Sequence, residues 1–433
     1  MKKIIILFLL LAQFGQGQAQ SVRGLYRVSG SRYGGSTVAG VASNTVTITV
    51  TYASPPVSPS ATFAPLKYNK LAWFQYERDD LLSGTWTDYV FFNGGTAADG
   101  KTYPGKTFTD GCGNKVNWRG SVVANARSNF NNLDFWGTTG RLTTQQVATM
   151  IKVGKWGILN HGYYHELATT NNFYPPWSAT FSQAGWDIAE NQKFTYTKLK
   201  SLDVEYLMRC VVVPTNYPGF TRGADSLKYL GSTSTNSLDG YDGIPRFFDL
   251  NTANNGGNFA QDETMPVTGY SKFNNAGFVQ YTRNFQDSWT TSIVNTLKAQ
   301  FVDLLAKSNA NKHLGMRLGT HTGTYPEMSN FFNYADSVAA DRVWFVGMTE
   351  QLEYREVKRL AQKIQFVNGN RLIIRIDLSA VPDVTRFRDM SLLITGGQIT
   401  HVTVSGVDSF SYDTVTGLVN LFTEKTKGFP APQ

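Results

Sequence analysis

Short apolar runs separated by helix-length amphipathic stretches constrain this chain more than any other feature. Leu71-Ala72-Trp73-Phe74-Gln75-Tyr76 is almost unbroken by polar residues. A run of that length without alternation is the signature of a strand covered on both faces. Residues 156–159, 204–213, 314–318 and 343–346 are further strand candidates. Helical spacing fills the intervals. Val147, Met150 and Ile151 share one face of a segment that stops at Gly154, and residues 181–200 also read as helix. Trp289, Ile293, Leu297, Phe301, Leu304 and Leu305 form another face, and Thr349 is placed to cap a helix through Glu353, Val357 and Leu360. Strands alternating with helices imply parallel βα units. Residues 66–365 are therefore expected to be an α/β unit of β/α-barrel type.

The flanks read differently. Met1-Lys2-Lys3, an apolar stretch to Leu11 and the small residues up to Ala19-Gln20 have the form of a cleaved export signal over 1–20. That implies a periplasmic, cell-surface or secreted protein. Thr45-Val46-Thr47-Ile48-Thr49-Val50-Thr51 alternates with period two, and Ser54-Pro55-Pro56-Val57-Ser58-Pro59-Ser60 reads as a linker. Residues 21–65 are thus expected to be a short N-terminal β segment with its linker. Beyond 366 the helical period is lost, and short strand-like runs predict an all-β, sandwich-like domain over 366–433. Residues 215–285, rich in Gly, Asn, Asp and Thr, read as long loops.

Composition narrows the partners. The formal charge is +8, of which Lys2 and Lys3 leave with the signal. The remaining basic residues are scattered, which argues against nucleic acid as a partner. No later stretch is apolar for long enough to insert stably in a membrane. Cys112 and Cys210 lack metal-ligand spacing, and their pairing is left open, as is the oligomeric state.

The strand C-termini of a parallel barrel share one face, where active sites sit. Asp79-Asp80 follow the first apolar run, His161 follows the second, His321 follows the run at 314–318, and Arg209 lies within or beside the run at 204–213. His161-Gly162-Tyr163-Tyr164-His165 sets two imidazoles four residues apart. Two histidines and a carboxylate leave open positions on zinc, as hydrolysis requires. The plainer readings are hydrogen-bonded histidines and an aspartate-rich turn.

In that order these segments resemble the motifs of the polysaccharide deacetylases, the chitin and peptidoglycan deacetylase group. Tyr76-Glu77-Arg78-Asp79-Asp80 is similar to the family's Thr-Phe-Asp-Asp-Gly motif, with Leu81 in place of glycine. His161 to His165 is similar to its His-Ser/Thr-x-x-His motif, with Gly162 at the Ser/Thr position. Arg209-Cys210-Val211-Val212-Val213-Pro214 and Leu318-Gly319-Thr320-His321 correspond to the arginine and final histidine motifs, and Asp287-Ser288-Trp289 faintly to an Asp-Trp element. The resemblance spans roughly 71–362. It implies an irregular β/α-barrel and removal of acetyl groups from a polysaccharide or glycan. A divalent metal, zinc first, would be held by Asp80, His161 and His165. Asp79 would be the general base, Arg209 would tune it, and His321 would protonate the leaving group. Two alternatives stay open: a carbohydrate-binding barrel without turnover, and a glycoside hydrolase using two carboxylates such as Glu77 and Glu350.

Overall fold

The structure is a computed structural model. It describes residues 44–128, 131–164, 181–212, 284–323 and 327–432, with short strand segments between 232 and 281. The expected signal at 1–20, His165 and most of the loop-rich 215–285 stretch lie outside the described residues.

Two strands come first, β1 (Thr45–Tyr52) and β2 (Ser60–Phe63). The βα region follows with β3 (Ala72–Arg78), α1 (Gly84–Asn93), β4 (Ser121–Ala124), α2 (Thr144–Lys152), β5 (Gly157–Asn160), α3 (Phe181–Lys200) and β6 (Cys210–Val212). It continues through β7 (Ser232–Ser234), β8 (Val279–Tyr281), β9 (Asn284–Phe285), α4 (Thr291–Lys307), β10 (Leu314–Thr320), α5 (Glu327–Ala339), β11 (Val343–Phe345) and α6 (Met348–Leu360). The last six strands are β12 (Gln362–Asn368), β13 (Arg371–Asp377), β14 (Met390–Thr395), β15 (Ile399–Ser405), β16 (Ser409–Tyr412) and β17 (Leu418–Phe422).

The fold is mixed α/β. One sheet runs β10-β3-β4-β5-β6-β7-β8, with β9 added on β10 and β11 on β3. All these pairings are parallel; the segment Ala260–Gln261 joins β10 antiparallel. Closure into a barrel is not among the described pairings. Every residue of β3, β4, β5 and β10 is buried, as the unbroken apolar runs required. Helix α2 carries the expected face, and Thr143 opens it with a capping box to Gln146. Helix α6 starts one residue before Thr349, with Gly347 at its cap; the Thr349 hydroxyl instead meets the Tyr206 hydroxyl at 2.8 Å.

β3 has an unequal pair of edges. β10 follows it from Trp73 to Arg78. The other edge is divided: β11 takes Ala72–Phe74, and β4 takes Glu77 and Arg78. β11 therefore ends low, and α6 begins beneath the starts of β4 and β5, where Met348 N–H donates to Ser121 Oγ at 3.0 Å. The C-terminal ends of β3, β5 and β10 stay clear at the opposite end.

The N-terminal strands are not a separate lead-in. β1 is an inner strand of a four-stranded antiparallel sheet, β12-β13-β1-β15, and β2 edges a second, β2-β14-β17-β16. The two sheets share a core that includes Val46, Ile48, Val50, Ile374, Leu392, Val402 and Leu421. Burial along β1 alternates as its sequence does. Cys112 and Cys210 are both buried, and no disulfide joins them. Among the described residues no helix is long and apolar enough to cross a membrane.

This pairing sets the outcome of a truncation. A chain ending at residue 361 loses both neighbours of β1 and strips the apolar face of Val46, Ile48 and Val50. Such a chain is expected in the insoluble fraction on expression, because unpaired apolar strands associate. A soluble, monomeric 1–361 product in size-exclusion chromatography would show that β1 does not depend on the C-terminal strands.

Candidate functional site

Each candidate side chain is placed by the end of a strand. Asp79 and Asp80 leave β3, and Asp79 N–H donates to Thr320 O of β10 at 3.0 Å. Asp80 and Leu81 then adopt φ of 64° and 55°. Left-handed backbone is costly for residues with a Cβ, and such outliers collect at functional sites. Leu81, where the resembling motif has glycine, occupies a glycine-like conformation. It is held there by burial and by hydrogen bonds to Val123 O (2.9 Å) and from Leu142 N (2.8 Å).

His161 leaves β5 with its ring buried. Its Nδ1 lies 2.7 Å from Val212 O. A carbonyl only accepts, so Nδ1 carries the proton, and in the neutral ring Nε2 presents a lone pair. That Nε2 lies 3.6 Å from Asp80 Oδ1 and 3.9 Å from Asp79 Oδ2. His321 arrives from β10 on the other side. Its Nε2 is 3.7 Å from Asp80 Oδ2 and 3.9 Å from Asp79 Oδ2. Two carboxylates and two imidazoles from three strands thus converge.

A buried polar scaffold from α3 supports the His161 turn. Gly162, at φ 78°, needs its glycine, and its N–H donates to Asn160 Oδ1 at 2.9 Å. Asn191 donates to Asn160 Oδ1 (2.9 Å) and Ala124 O (2.7 Å), and Asn160 donates to Ile188 O (2.9 Å). Asp187 accepts the Tyr164 N–H at 3.1 Å, and burial pushes its carboxyl up to about 7. The sequence reading missed Asp187 and Asn191; their i,i+4 spacing on one face of a helix was the available signal. His321 is held by Asp287, which accepts its backbone N–H and bonds Nδ1, both at 2.8 Å. Burial works against the His321 cation. The Asp287 hydrogen bond and the fields of Asp79 and Asp80 outweigh it, so the imidazole is held above its ordinary range.

The metal ligands foreseen from sequence are Asp80, His161 and His165. The first two meet; His165 lies outside the described residues. Among the described residues no group of three His, Cys, Asp or Glu side chains could by itself hold a metal ion. The pair that is described fits one. Two ligands at about 2.0–2.2 Å from a tetrahedral ion lie about 3.3–3.6 Å apart, close to the 3.6 Å between His161 Nε2 and Asp80 Oδ1.

Arg209 is not brought to this cluster. β6 begins after it, so Arg209 stands at the opposite end of the sheet from the strand C-termini. Its guanidinium donates to both Glu356 oxygens at 2.7 and 2.9 Å and reaches Glu353 and Thr385 at 3.4 Å. The reading of Arg209 as the group that tunes Asp79 has no support in these contacts. The two-carboxylate alternative fares no better. Glu77 is enclosed with Arg317, at 2.8 and 3.0 Å, and Glu350 is clamped between Lys67 and Arg119 at the far end.

Compared with known protein families, the chain matches none. No curated protein matches it either.

Two expectations follow. Arg209→Ala leaves Glu356 buried without its ion-pair partner, which costs about 3–5 kcal/mol; the urea midpoint should fall markedly, whereas a tuning role alone would leave it in place. Asp287→Asn keeps an acceptor for Nδ1 but weakens the Asp287 hydrogen bond that, with the fields of Asp79 and Asp80, raises the His321 pKa. His321 then loses its proton at lower pH, and the midpoint of its imidazole titration followed by NMR should move down. An unmoved midpoint would show that Asp287 does not set this titration.

Proposed function

We propose that the chain is a metal-dependent carbohydrate deacetylase, on a sheet that is one face of an irregular β/α-barrel of the polysaccharide deacetylase type. The observation that carries this reading is the convergence of Asp79, Asp80, His161 and His321, from three strand ends, with the His161 tautomer set to offer a lone pair. The order of these residues along the chain is the order of the motifs they resemble. The aromatic setting agrees with a sugar substrate: Tyr163 lies edge-on to Trp186, which is 45% exposed, at 5.8 Å, and to Phe194 at 5.9 Å. Residues 1–20 fit the same reading as an export signal toward a polymeric extracellular substrate.

The geometry supports one division of labour. Asp80 and His161, with His165, would hold the divalent ion, zinc first. When bound, that ion supplies Lewis acidity and lowers the pKa of a coordinated water. Asp79, within 3.9 Å of both imidazole Nε2 atoms, accepts the proton of the attacking water. His321 keeps its proton through Asp287 and presents it from Nε2 to the departing amine or alcohol. Val212 O holds the His161 ring in its tautomer, and the α3 amides hold the turn below it.

Substitution of the adjacent aspartates separates these roles. Asp80→Ala should reduce zinc content measured by atomic absorption. Asp79→Asn should retain zinc and lose about 10²–10⁴-fold in deacetylation of an acetylated oligosaccharide. If both variants keep full metal and full turnover, the pair is a structural turn and the reading fails.

A further inference from the structure

The antiparallel sheet β12-β13-β1-β15 begins at an edge, β12, whose described partner is β13 alone. Edge strands of soluble proteins are ordinarily short, charged, proline-bearing or covered, because their free backbone groups otherwise recruit another strand. β12 lacks these protections. It runs Gln362-Lys363-Ile364-Gln365-Phe366-Val367-Asn368, with one charge and no proline. All but Lys363 are exposed, including Ile364 (62%), Phe366 (42%) and Val367 (49%). The second sheet shows the contrast. Its edge strand β2 is covered by β12 side chains: Gln365 Oε1 accepts the Ala61 N–H at 3.0 Å, and the Lys363 ammonium donates to Ala61 O. The outer backbone of β12 receives no such cover among the described residues.

The hairpin sets how a partner strand would sit. Gly369-Asn370 joins β12 to β13, with Gly369 at φ 61°, the pattern of a two-residue type II′ turn. Its flanking residues, Asn368 and Arg371, are then a hydrogen-bonded pair, and such pairs recur at every second residue. The N–H and C=O groups of Lys363, Gln365 and Val367 therefore point outward. Laid antiparallel on its own copy about a two-fold axis at Gln365, β12 matches all its residues at once. Gln365 faces Gln365, Lys363 faces Val367, Gln362 faces Asn368, and Ile364 faces Phe366 on the outer face. No like charges meet, and the exposed apolar side chains cover each other. The chain's own residues 21–43 fit this edge less well. They contain five glycines, with no more than five residues between any two, so they offer no strand of matching length free of glycine.

We infer that β12 is a homodimerisation edge, which pairs antiparallel with β12 of a second copy and joins the two sheets into one. The pairing is independent of the reaction proposed above.

The test is sedimentation velocity of the full chain across a range of concentrations. The samples are wild type, the double variant Ile364→Lys with Phe366→Lys, the double variant Ile364→Glu with Phe366→Glu, and an equal mixture of the two variants. Both side chains face solvent, so the melting curves should stay near that of wild type. Wild type is expected to form a dimer whose fraction rises with concentration. Each double variant sets like charges opposite one another and should weaken association by about tenfold or more. The mixture should recover the dimer, because the lysines of one chain then lie opposite the glutamates of the other. A wild type that stays monomeric at every concentration overturns the inference and leaves the edge to a different strand. A dimer that persists undiminished in both double variants, or a mixture that associates no better than either variant alone, overturns it as well. Loss of turnover in Asp79→Asn bears only on the reaction, so the two proposals fail separately.

Discussion

The divided edge of β3 is the constraint on which the rest of the structure depends. One long strand, β10, runs along one side; two short strands, β11 and β4, share the other. Because β11 pairs only with the first half of β3, α6 must start low, and its first turns fill the space below β4 and β5. That leaves the upper end open at the points where β3, β5 and β10 finish. A parallel sheet then does the sorting: every group just after a strand goes to one end, and every group just before a strand goes to the other. Asp79, Asp80, His161 and His321 belong to the first class. Arg119 and Arg209 belong to the second.

The open end is held by polar groups rather than by packing alone. Asn160, Asn191 and Asp187 are buried and satisfy the backbone around Gly162 and Tyr164. A buried network of this kind is costly if any member is missing, and so it specifies one geometry for the turn. The same logic applies to Asp80 and Leu81. Their left-handed backbone is tolerated because Leu81 is buried and hydrogen-bonded through both its N–H and its carbonyl. Leucine at the position where the resembling motif has glycine therefore leaves the chain path possible, at the expense of local strain.

What the sequence made legible was what local pattern encodes. The unbroken run at 71–76 marks β3, and the residues following it are the two aspartates. Strand ends were harder to place. The run at 204–213 is mostly apolar, broken by Glu205 and Arg209, but only Cys210–Val212 pairs as strand, and that difference moves Arg209 from one end of the sheet to the other. Long-range pairing was not legible either. The period-two alternation of Thr45 to Thr51 shows a half-buried strand, but nothing local says that its neighbours are β13 and β15, more than 300 residues later. Asp287 carried a weak motif signal, and only the geometry shows that it clasps His321. The α3 scaffold had no signal beyond two polar residues on a helix.

The spacing between opposite charges separates the two ends of the sheet by kind. At the lower end, cations and carboxylates are in contact: Arg209 on Glu356 at 2.7 Å, Lys67 on Glu350 at 2.5 Å. Buried pairs at contact distance neutralise each other, and that offsets much of the cost of taking them out of water. At the upper end the imidazole nitrogens stand 3.6–3.9 Å from the aspartate oxygens. That separation is too long for a hydrogen bond and too short for two independent sites. The rings are held back by their own anchors, Val212 O behind His161 and Asp287 behind His321, so the gap is imposed by the scaffold rather than left by loose packing. The proposed metal-dependent reaction rests on this spacing: donors kept just beyond hydrogen-bond reach of one another by rigid partners are what a cation shared by Asp80 and His161 would need.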